Sequence, residues 1–227
     1  DLTIVQTPGG TSNPSLSNLI AAMGDQWWQV WAHPYTDATN LTAIEQELLS
    51  RTGQTRMIDG VAFTSAVGSV GTLAALGNSR NSEHSVIASQ SAPVPLTPPM
   101  EFAAEVAALV VESIQAQANR PLHRMRLSNT IAPPEDELFT IQEQNSLLYD
   151  GIATSSVVAG RVLTGGMITT YQLNASAIPD TAYLYSETLF TLQYLRFTWR
   201  AQLSSKYPRA LLVQDNVPIP AGKQVIS

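Results

Sequence analysis

Ser69 is the residue whose local sequence comes nearest to that of a catalytic nucleophile. It lies in Gly68-Ser69-Val70-Gly71, part of the G-x-S-x-G pattern that holds a nucleophile on a sharp strand-to-helix turn. Hydrolysis would also need an imidazole and an orienting carboxylate within reach. His33 and His84 flank predicted strands and are the candidate bases. Because the full motif is missing, we do not favour Ser69 as a nucleophile, and an α/β hydrolase that uses it is kept as the alternative.

A second candidate site is the loop Thr7 to Asn13, which contains Gly9-Gly10 and joins a predicted strand to a predicted helix. Phosphates bind at this position in many α/β proteins, because backbone N–H groups are free at the start of the helix. The loop matches neither G-x-G-x-x-G nor the lysine-containing P-loop. It therefore favours a capping turn, with a nucleotide-binding enzyme as the alternative.

Metal and thiol chemistry have little support in the composition. The chain has no cysteine and only three histidines, His33, His84 and His123, and these lack the spacing of a metal site. The acidic run Glu135 to Glu137 is typical of a solvent-exposed loop. We predict no catalytic, cofactor-binding or metal-ligating residue, and no cofactor.

The charge balance also excludes classes of partner. Eighteen acidic and twelve basic residues give a formal net charge of -6, which disfavours nucleic acid, since phosphates require clustered Lys and Arg. Membrane insertion is not expected, because even the apolar stretch Tyr183 to Trp199 is interrupted by Glu187, Gln193 and Arg196. The chain opens at Asp1 on a predicted strand without a signal peptide, so we expect a fragment of a longer protein.

Short apolar strands alternate with amphipathic helices over the first 120 or so residues, which predicts a parallel sheet with helices on both faces. The first helix is expected to begin with Asn13 as N-cap, and the second with Asp37 or Asn40. Glu45, Glu47 and Arg51 are expected to face water. The predicted strands cover residues 2–6, 27–32, 60–64 and 84–89, and the helices 14–23, 41–52, 70–76 and 99–118.

The alternation of strands and helices ends in the second half of the chain. Thr140 is expected to cap a helix that ends before Gly151, and residues 152–158 to form a strand. A hairpin is predicted from residues 161–163 and 167–172, with Gly165-Gly166 as its turn. We therefore divide the chain into an α/β domain, residues 1–158, and part of an α+β domain, residues 159–227.

The predicted final helix, about Thr181 to Ser204, is apolar around most of its circumference. Such a helix must be covered on most sides. Burial within the monomer and contact with another copy in an assembly are both open.

Three segments of the second half form a distinctive set, followed by a basic stretch from Leu195-Arg196 to Arg200. They are Tyr149 to Thr154 (YDGIAT), Met167 to Asn174 (MITTYQLN) and Pro179 to Leu192 (PDTAYLYSETLFTL). In this combination the chain resembles the tail sheath protein of contractile-tailed bacteriophages, in particular the Mu-like branch. Residues 78–86 and the proline-rich run before Met100 also resemble the sheath α/β domain.

The resemblance implies a structural protein: a parallel sheet flanked by helices, with subtilisin-like topology but no protease activity, followed by part of an α+β domain. It implies a protomer of a helical homopolymer around the tail tube protein, with baseplate and terminator as further partners. The sheath would be assembled in the bacterial host cytoplasm, reside in the virion and contract to drive the tube through the host envelope. The N- and C-terminal arms of the family are expected to be missing.

Two further interpretations are open. A bacteriocin or secretion-type sheath would have the same architecture as a phage sheath. Opposite charge also suggests that copies contact one another through a basic set and the acidic run Glu135 to Glu137, the basic set being Arg196, Arg200, Lys206 and Arg209.

Overall fold

The structure is a computed structural model that describes residues 13–208 together with the backbone of two short strands, 211–212 and 225–226. The predicted strand at residues 2–6, the Gly9-Gly10 loop and Arg209 lie outside the described residues. The helices are α1 (Ser17–Met23), α2 (Ala38–Thr52), α3 (Val70–Asn78), α4 (Pro99–Ala116), α5 (Ile141–Tyr149) and α6 (Ser186–Lys206). The strands are β1 (Val30–Ala32), β2 (Val61–Ala66), β3 (Ser85–Ser89), β4 (Arg126–Leu127), β5 (Ile152–Ala153), β6 (Ser155–Val158), β7 (Arg161–Thr164), β8 (Leu211–Leu212) and β9 (Val225–Ile226).

A four-stranded parallel sheet in the order β1-β2-β3-β5 forms the centre of the fold. Val30 pairs with Val61, Ala62 with Ser85 and Ile87 with Ile152. Strands β2 and β3 are buried along their whole length, as a sheet covered on both faces requires. The predicted α/β class is confirmed.

Two layers of helices cover the sheet. On one face, Phe102 and Val106 of α4 and Phe190 of α6 join Phe63 and Val86 in the largest apolar cluster. On the other face, side chains of α2, α3 and α5 pack with the strands in two smaller clusters, whose members include Leu41, Ile44, Leu48, Leu73, Ile87 and Leu147. The sheet is therefore held between α4 and α6 on one side and α2, α3 and α5 on the other.

The prediction that Asn13 caps the first helix is wrong. Helix α1 begins at Ser17, and the residue before it, Leu16, makes no capping hydrogen bond through its side chain. The Asn13 amide instead donates to Asp37. Asp37 is the N-cap of α2 and accepts from the Asn40 backbone N–H at 3.0 Å. The Asn13 side chain, which the local sequence predicts to cap α1, is thus used in a tertiary contact with Asp37.

Arg51 is fully buried, against the prediction that it faces water, and the Glu45 and Glu47 side chains are also mostly covered, at 13% and 15% exposed. Its guanidinium donates to the Glu47 carboxylate at 2.8 Å and to the carbonyls of Gly24 and Gln26. The planar guanidinium can satisfy several acceptors in fixed directions. Arg51 therefore closes the segment after α1 onto α2, a role that helical periodicity alone does not reveal.

The predicted hairpin around Gly165-Gly166 is also wrong. Strand β7 pairs with β6 and β4 in an antiparallel sheet, and the turn is Ala159-Gly160, with φ of 50° and 70°. Two consecutive positive φ values suit a two-residue hairpin. At Gly165 an added Cβ would lie 2.6 Å from the Thr154 carbonyl oxygen, so this glycine permits close backbone approach. The proposed division between residues 158 and 159 falls at the Ala159-Gly160 turn and stays a prediction.

Helix α6 begins later than predicted, because the residues before it pair with another segment. The Thr169 backbone N–H donates to the Leu184 carbonyl at 2.8 Å, and Ile168 forms an antiparallel bridge with Tyr185. None of the helices in the described part of the chain combines the length and hydropathy needed to cross a membrane.

Candidate functional site

Ser69 is the N-cap of α3. Its Oγ accepts from the Thr72 backbone N–H at 3.3 Å and lies 3.0 Å from Thr72 Oγ1. Among the described residues, the side-chain hydrogen bonds of Ser69 are those with Thr72. The structure therefore shows Ser69 as a helix cap and does not bring it together with either candidate base.

His84 is buried and held by groups other than Ser69. Its Nδ1 lies 3.1 Å from the Gly60 carbonyl and its Nε2 3.2 Å from Thr52 Oγ1. Because a carbonyl only accepts, Nδ1 carries the proton in the neutral ring. Burial lowers the pKa of His84, against a raising effect of Glu83. The imidazole thus ties β3 to the end of α2.

His33 follows β1 at the carboxyl edge of the sheet, where its ring stacks on that of Tyr35 with the centroids 6.4 Å apart. Burial lowers the pKa of His33 to about 4, outweighing the opposing effects of the Tyr35 backbone and Asp37. The ring is therefore neutral at pH 7 and packs as an aromatic group. A serine, a histidine and a carboxylate do not meet in the described residues.

The remaining candidates are exposed. His123 lies on the surface, and Glu135 to Glu137 form an exposed single turn of 3-10 helix, as expected for an acidic loop. Residues 13–208 hold no cluster of three or more His, Asp or Glu side chains that could bind a metal ion.

Arg196 does not fit the suggested contact between copies. Its Nη1 donates to Asp59 Oδ1 and to the Thr52 carbonyl, each at 2.8 Å. The guanidinium is thus engaged within the protomer, and only Arg200 and Lys206 of the basic set lie exposed in the described residues. The Lys206 ammonium lies 5.4 Å from the centre of the Tyr207 ring.

Helix α6 presents an uncovered apolar surface. Leu189, Phe190 and Gln193 face the core, whereas the opposite side of the helix faces solvent. Trp199 is 68% exposed and Phe197 52%. The Phe197 ring meets Trp27, with the centroids 5.7 Å apart. The outer surface of α6, defined here as Leu192, Leu195, Trp199 and Leu203, is an exposed apolar stripe at helical spacing, whereas Tyr194 and Phe197 lie on the side of the helix nearer the core.

Beside this surface is a groove of about 240 Å³ between the end of α4 and the middle of α6. Phe190, Tyr194 and Phe197 line it together with Ile114 and Gln193. The Gln193 side chain is buried, and neither of its amide atoms has a hydrogen-bond partner among the described residues. The sequence indicated Gln193 only as a polar break in an apolar stretch, because a lone glutamine in an apolar helix carries no local signal of a surface groove.

The longest helix of this α/β body displays an apolar surface, and the described residues assemble no catalytic triad. Both features are typical of a subunit that functions in an assembly. Residues 9–170 match the model of the phage tail sheath protein central domain. The chain belongs to the phage tail sheath protein family.

One relative is the Mu-like prophage FluMu tail sheath protein of Haemophilus influenzae. It is 31% identical over 227 residues, which cover 99% of this chain and 46% of the relative. The chain therefore spans about half the length of that protein. The resemblance seen in the sequence, including its Mu-like character, is confirmed at the level of the family.

Two solved structures share the fold. The sheath tail protein of Desulfitobacterium hafniense has a TM-score of 0.62 at 14% identity, covering 84% of this chain and 42% of that one. The helical sheath of the anti-feeding prophage in its contracted state has a TM-score of 0.56 at 15% identity, covering 91% and 56% respectively.

Proposed function

We propose that the protein containing this chain is the protomer of a contractile tail sheath. Many copies form a helical homopolymer around a tube protein, and the polymer shortens to drive the tube through the envelope of the host. The chain supplies the rigid body of each protomer. Contraction is then a rigid-body rearrangement between copies with two discrete arrangements, and no cofactor is needed.

The outer surface of α6 carries this proposal beyond family membership. On the solvent side, none of the described residues covers its exposed aromatic and aliphatic side chains. Covering such a surface releases about 25 cal/mol per Å² of apolar area. An assembly of many copies recovers that free energy at every interface.

The further partners follow from the same architecture. We propose that the sheath contacts a tail tube protein, a baseplate and a terminator, that it assembles in the host cytoplasm and that it resides in the virion. The baseplate and the contracted sheath of the anti-feeding prophage share this fold. The architecture therefore fits a bacteriocin or secretion-type sheath as well as it fits a phage sheath.

We further propose that the chain has no enzymatic activity. Ser69 caps a helix, and His84 is held by Gly60 and Thr52. The family is one of structural proteins.

The experiment is negative-stain microscopy of the protein at its natural length, with and without the tube protein. Rings or striated cylinders support the proposal. A dispersed monomer with esterase or nucleotidase turnover that Ser69→Ala abolishes would refute it. The matched variant Ser79→Ala changes another exposed serine beside the same helix and controls for nonspecific loss.

A further inference from the structure

The groove beside α6 has the chemistry of a site for an uncharged, proline-rich segment. Its lining is aromatic and aliphatic, and the polar side chains in it, Gln29, Gln115 and Gln193, carry no charge. The Gln193 amide is enclosed and has no partner among the described residues, whereas Gln29 and Gln115 are exposed and present their amides to the groove.

The loop between β3 and α4 supplies a segment with matching properties. Residues 93–98 read Pro-Val-Pro-Leu-Thr-Pro and contain no charge. Val94 is 72% exposed and Leu96 57%, although both are aliphatic. Proline-rich segments are recognised by aromatic-lined grooves, because they lose little conformational entropy on binding.

Hydrogen bonding is complementary as well. Of the residues that the structure describes, none donates to the backbone carbonyls of residues 93–96, while the Thr97 carbonyl already accepts from Gln90 at 2.8 Å. Pro93 and Pro95 have no N–H, so this segment offers mainly acceptors. A carbonyl from it would accept from the exposed side-chain NH₂ of Gln115 or Gln29, which line the groove.

The sizes agree. An apolar cavity of roughly 150 Å³ already binds benzene, and the side chains of valine and leucine together are little larger than benzene. A groove of about 240 Å³ therefore has room for Val94 and Leu96 with part of their backbone.

The loop and the groove lie at opposite ends of α4. The loop leads into Pro99, whereas Ile114 and Gln115 line the groove near the end of the helix. At 1.5 Å per residue this separation is about 25 Å, so the loop does not reach the groove of its own chain. Contact between two copies would be head to tail, the type that propagates into helical polymers.

We propose that residues 93–98 of one copy dock in the α4/α6 groove of a second copy, with Val94 and Leu96 against Phe190 and Phe197. This inference rests on the proposed sheath function and names one of its contacts between protomers.

Cysteine cross-linking tests the contact directly: the 227 residues contain no cysteine, and any cysteine elsewhere in the protein is first replaced with serine. Leu96→Cys and Gln115→Cys are made as separate variants of the protein at its natural length and mixed under mild oxidation. Ile178→Cys replaces Leu96→Cys in the control mixture, since Ile178 is 58% exposed and Leu96 57%. The Leu96 mixture should yield at least about tenfold more mixed disulfide, because contact raises the effective concentration of the thiols.

A charge exchange gives an independent measurement. Val94→Glu and Gln115→Lys each place one charge at an exposed position of the proposed interface. Each should raise the protein concentration for half-maximal assembly by about tenfold, and the double variant should recover most of that loss. Thermal unfolding of each variant confirms that the fold is intact.

The outcomes separate the two proposals. Cylinders without the Leu96–Gln115 disulfide, and with assembly indifferent to both charges, would refute the loop-in-groove contact and leave the sheath function standing. Occupation of the groove by the tube protein instead would give that same result, with Gln115→Cys cross-linked to the tube. Failure of the unaltered protein to associate at all would refute both.

Discussion

Arg196 of α6 and Asp59, just before β2, form an ion pair with 2.8 Å between Nη1 and Oδ1. The Asp59 side chain is 6% exposed and that of Arg196 32%. The Asp59 carbonyl also accepts from Trp27 Nε1 at 2.8 Å. This pair fixes the middle of α6 to the edge of the sheet and so sets the direction in which the outer surface of α6 faces.

Replacing Arg196 with Met should lower the free energy of unfolding by about 2 kcal/mol, because the buried Asp59 carboxylate loses its charged partner. Urea unfolding measures the change. The control Arg200→Met removes an exposed arginine of the same helix and should stay within about 0.5 kcal/mol of the unaltered protein. Equal effects at both positions would contradict a specific role for the pair.

Two glycines of α3 should respond to alanine in opposite ways. At Gly71 an added Cβ meets nothing within 4 Å, whereas at Gly77 it would overlap the Asp150 carbonyl oxygen. Gly71→Ala should stabilise by up to about 1 kcal/mol through helix propensity. Gly77→Ala should destabilise by about 2 kcal/mol, because α3 must move away from the end of α5. Thermal unfolding of the two variants compares them, and a stabilised Gly77→Ala would show that the approach is not tight.

Removing the buried Arg51 should be among the most damaging single changes. Arg51→Met leaves the carbonyls of Gly24 and Gln26 without a donor and should cost about 3 kcal/mol in urea unfolding. Arg51→Lys should recover only part of this, since an ammonium cannot reproduce the planar fork. The matched change Arg161→Met, at an exposed position of β7, should cost less than about 0.5 kcal/mol. Full recovery by lysine would mean that charge alone matters.

Stability should fall in acid partly because of His33. Its pKa is about 4 in the folded protein and 6.5 as an ordinary value, so between these pH values the unfolded chain binds the proton and the folded chain does not. The stabilisation that comes from the neutral His33 is fully present above pH 6.5 and decreases as the pH falls toward 4. Below about pH 4 it no longer changes, and the total loss in the free energy of unfolding is up to about 3 kcal/mol. The free energy of unfolding, measured by chemical denaturation at several pH values, should decrease less steeply with falling pH for His33→Phe than for the unaltered protein. An unchanged slope would contradict this account.

Local patterns predicted those elements whose ends depend on their own residues. Thr140 caps α5 in a capping box, with its Oγ1 accepting from the Glu143 backbone N–H at 3.3 Å and Glu143 accepting from the Thr140 N–H at 2.7 Å. Pro99 begins α4, as its fixed φ and missing N–H favour. In both cases the signal and the structure lie within one turn of helix.

Patterns failed where distant residues compete for the same group. Asn13 donates to Asp37, and the Gly165 backbone approaches Thr154 instead of forming a turn. The predicted strand at residues 152–158 is divided between two sheets, because β5 pairs with β3 while β6 pairs with β7. Asn13 and Asp37, and likewise β3 and β5, lie more than twenty residues apart, so no local window contains both members of either pair.

The alternation of apolar strands and amphipathic helices determined by itself that the chain forms a covered parallel sheet, and three short segments were enough to indicate the sheath family. Only the tertiary structure decided that Ser69 is a cap, that Arg196 is engaged by Asp59, and that the Gln193 amide has no partner among the described residues. Periodicity reports which side of an element avoids water. Which group meets which across the fold depends on packing between segments far apart in the chain, and that packing also decides which apolar side chains remain for another copy to cover.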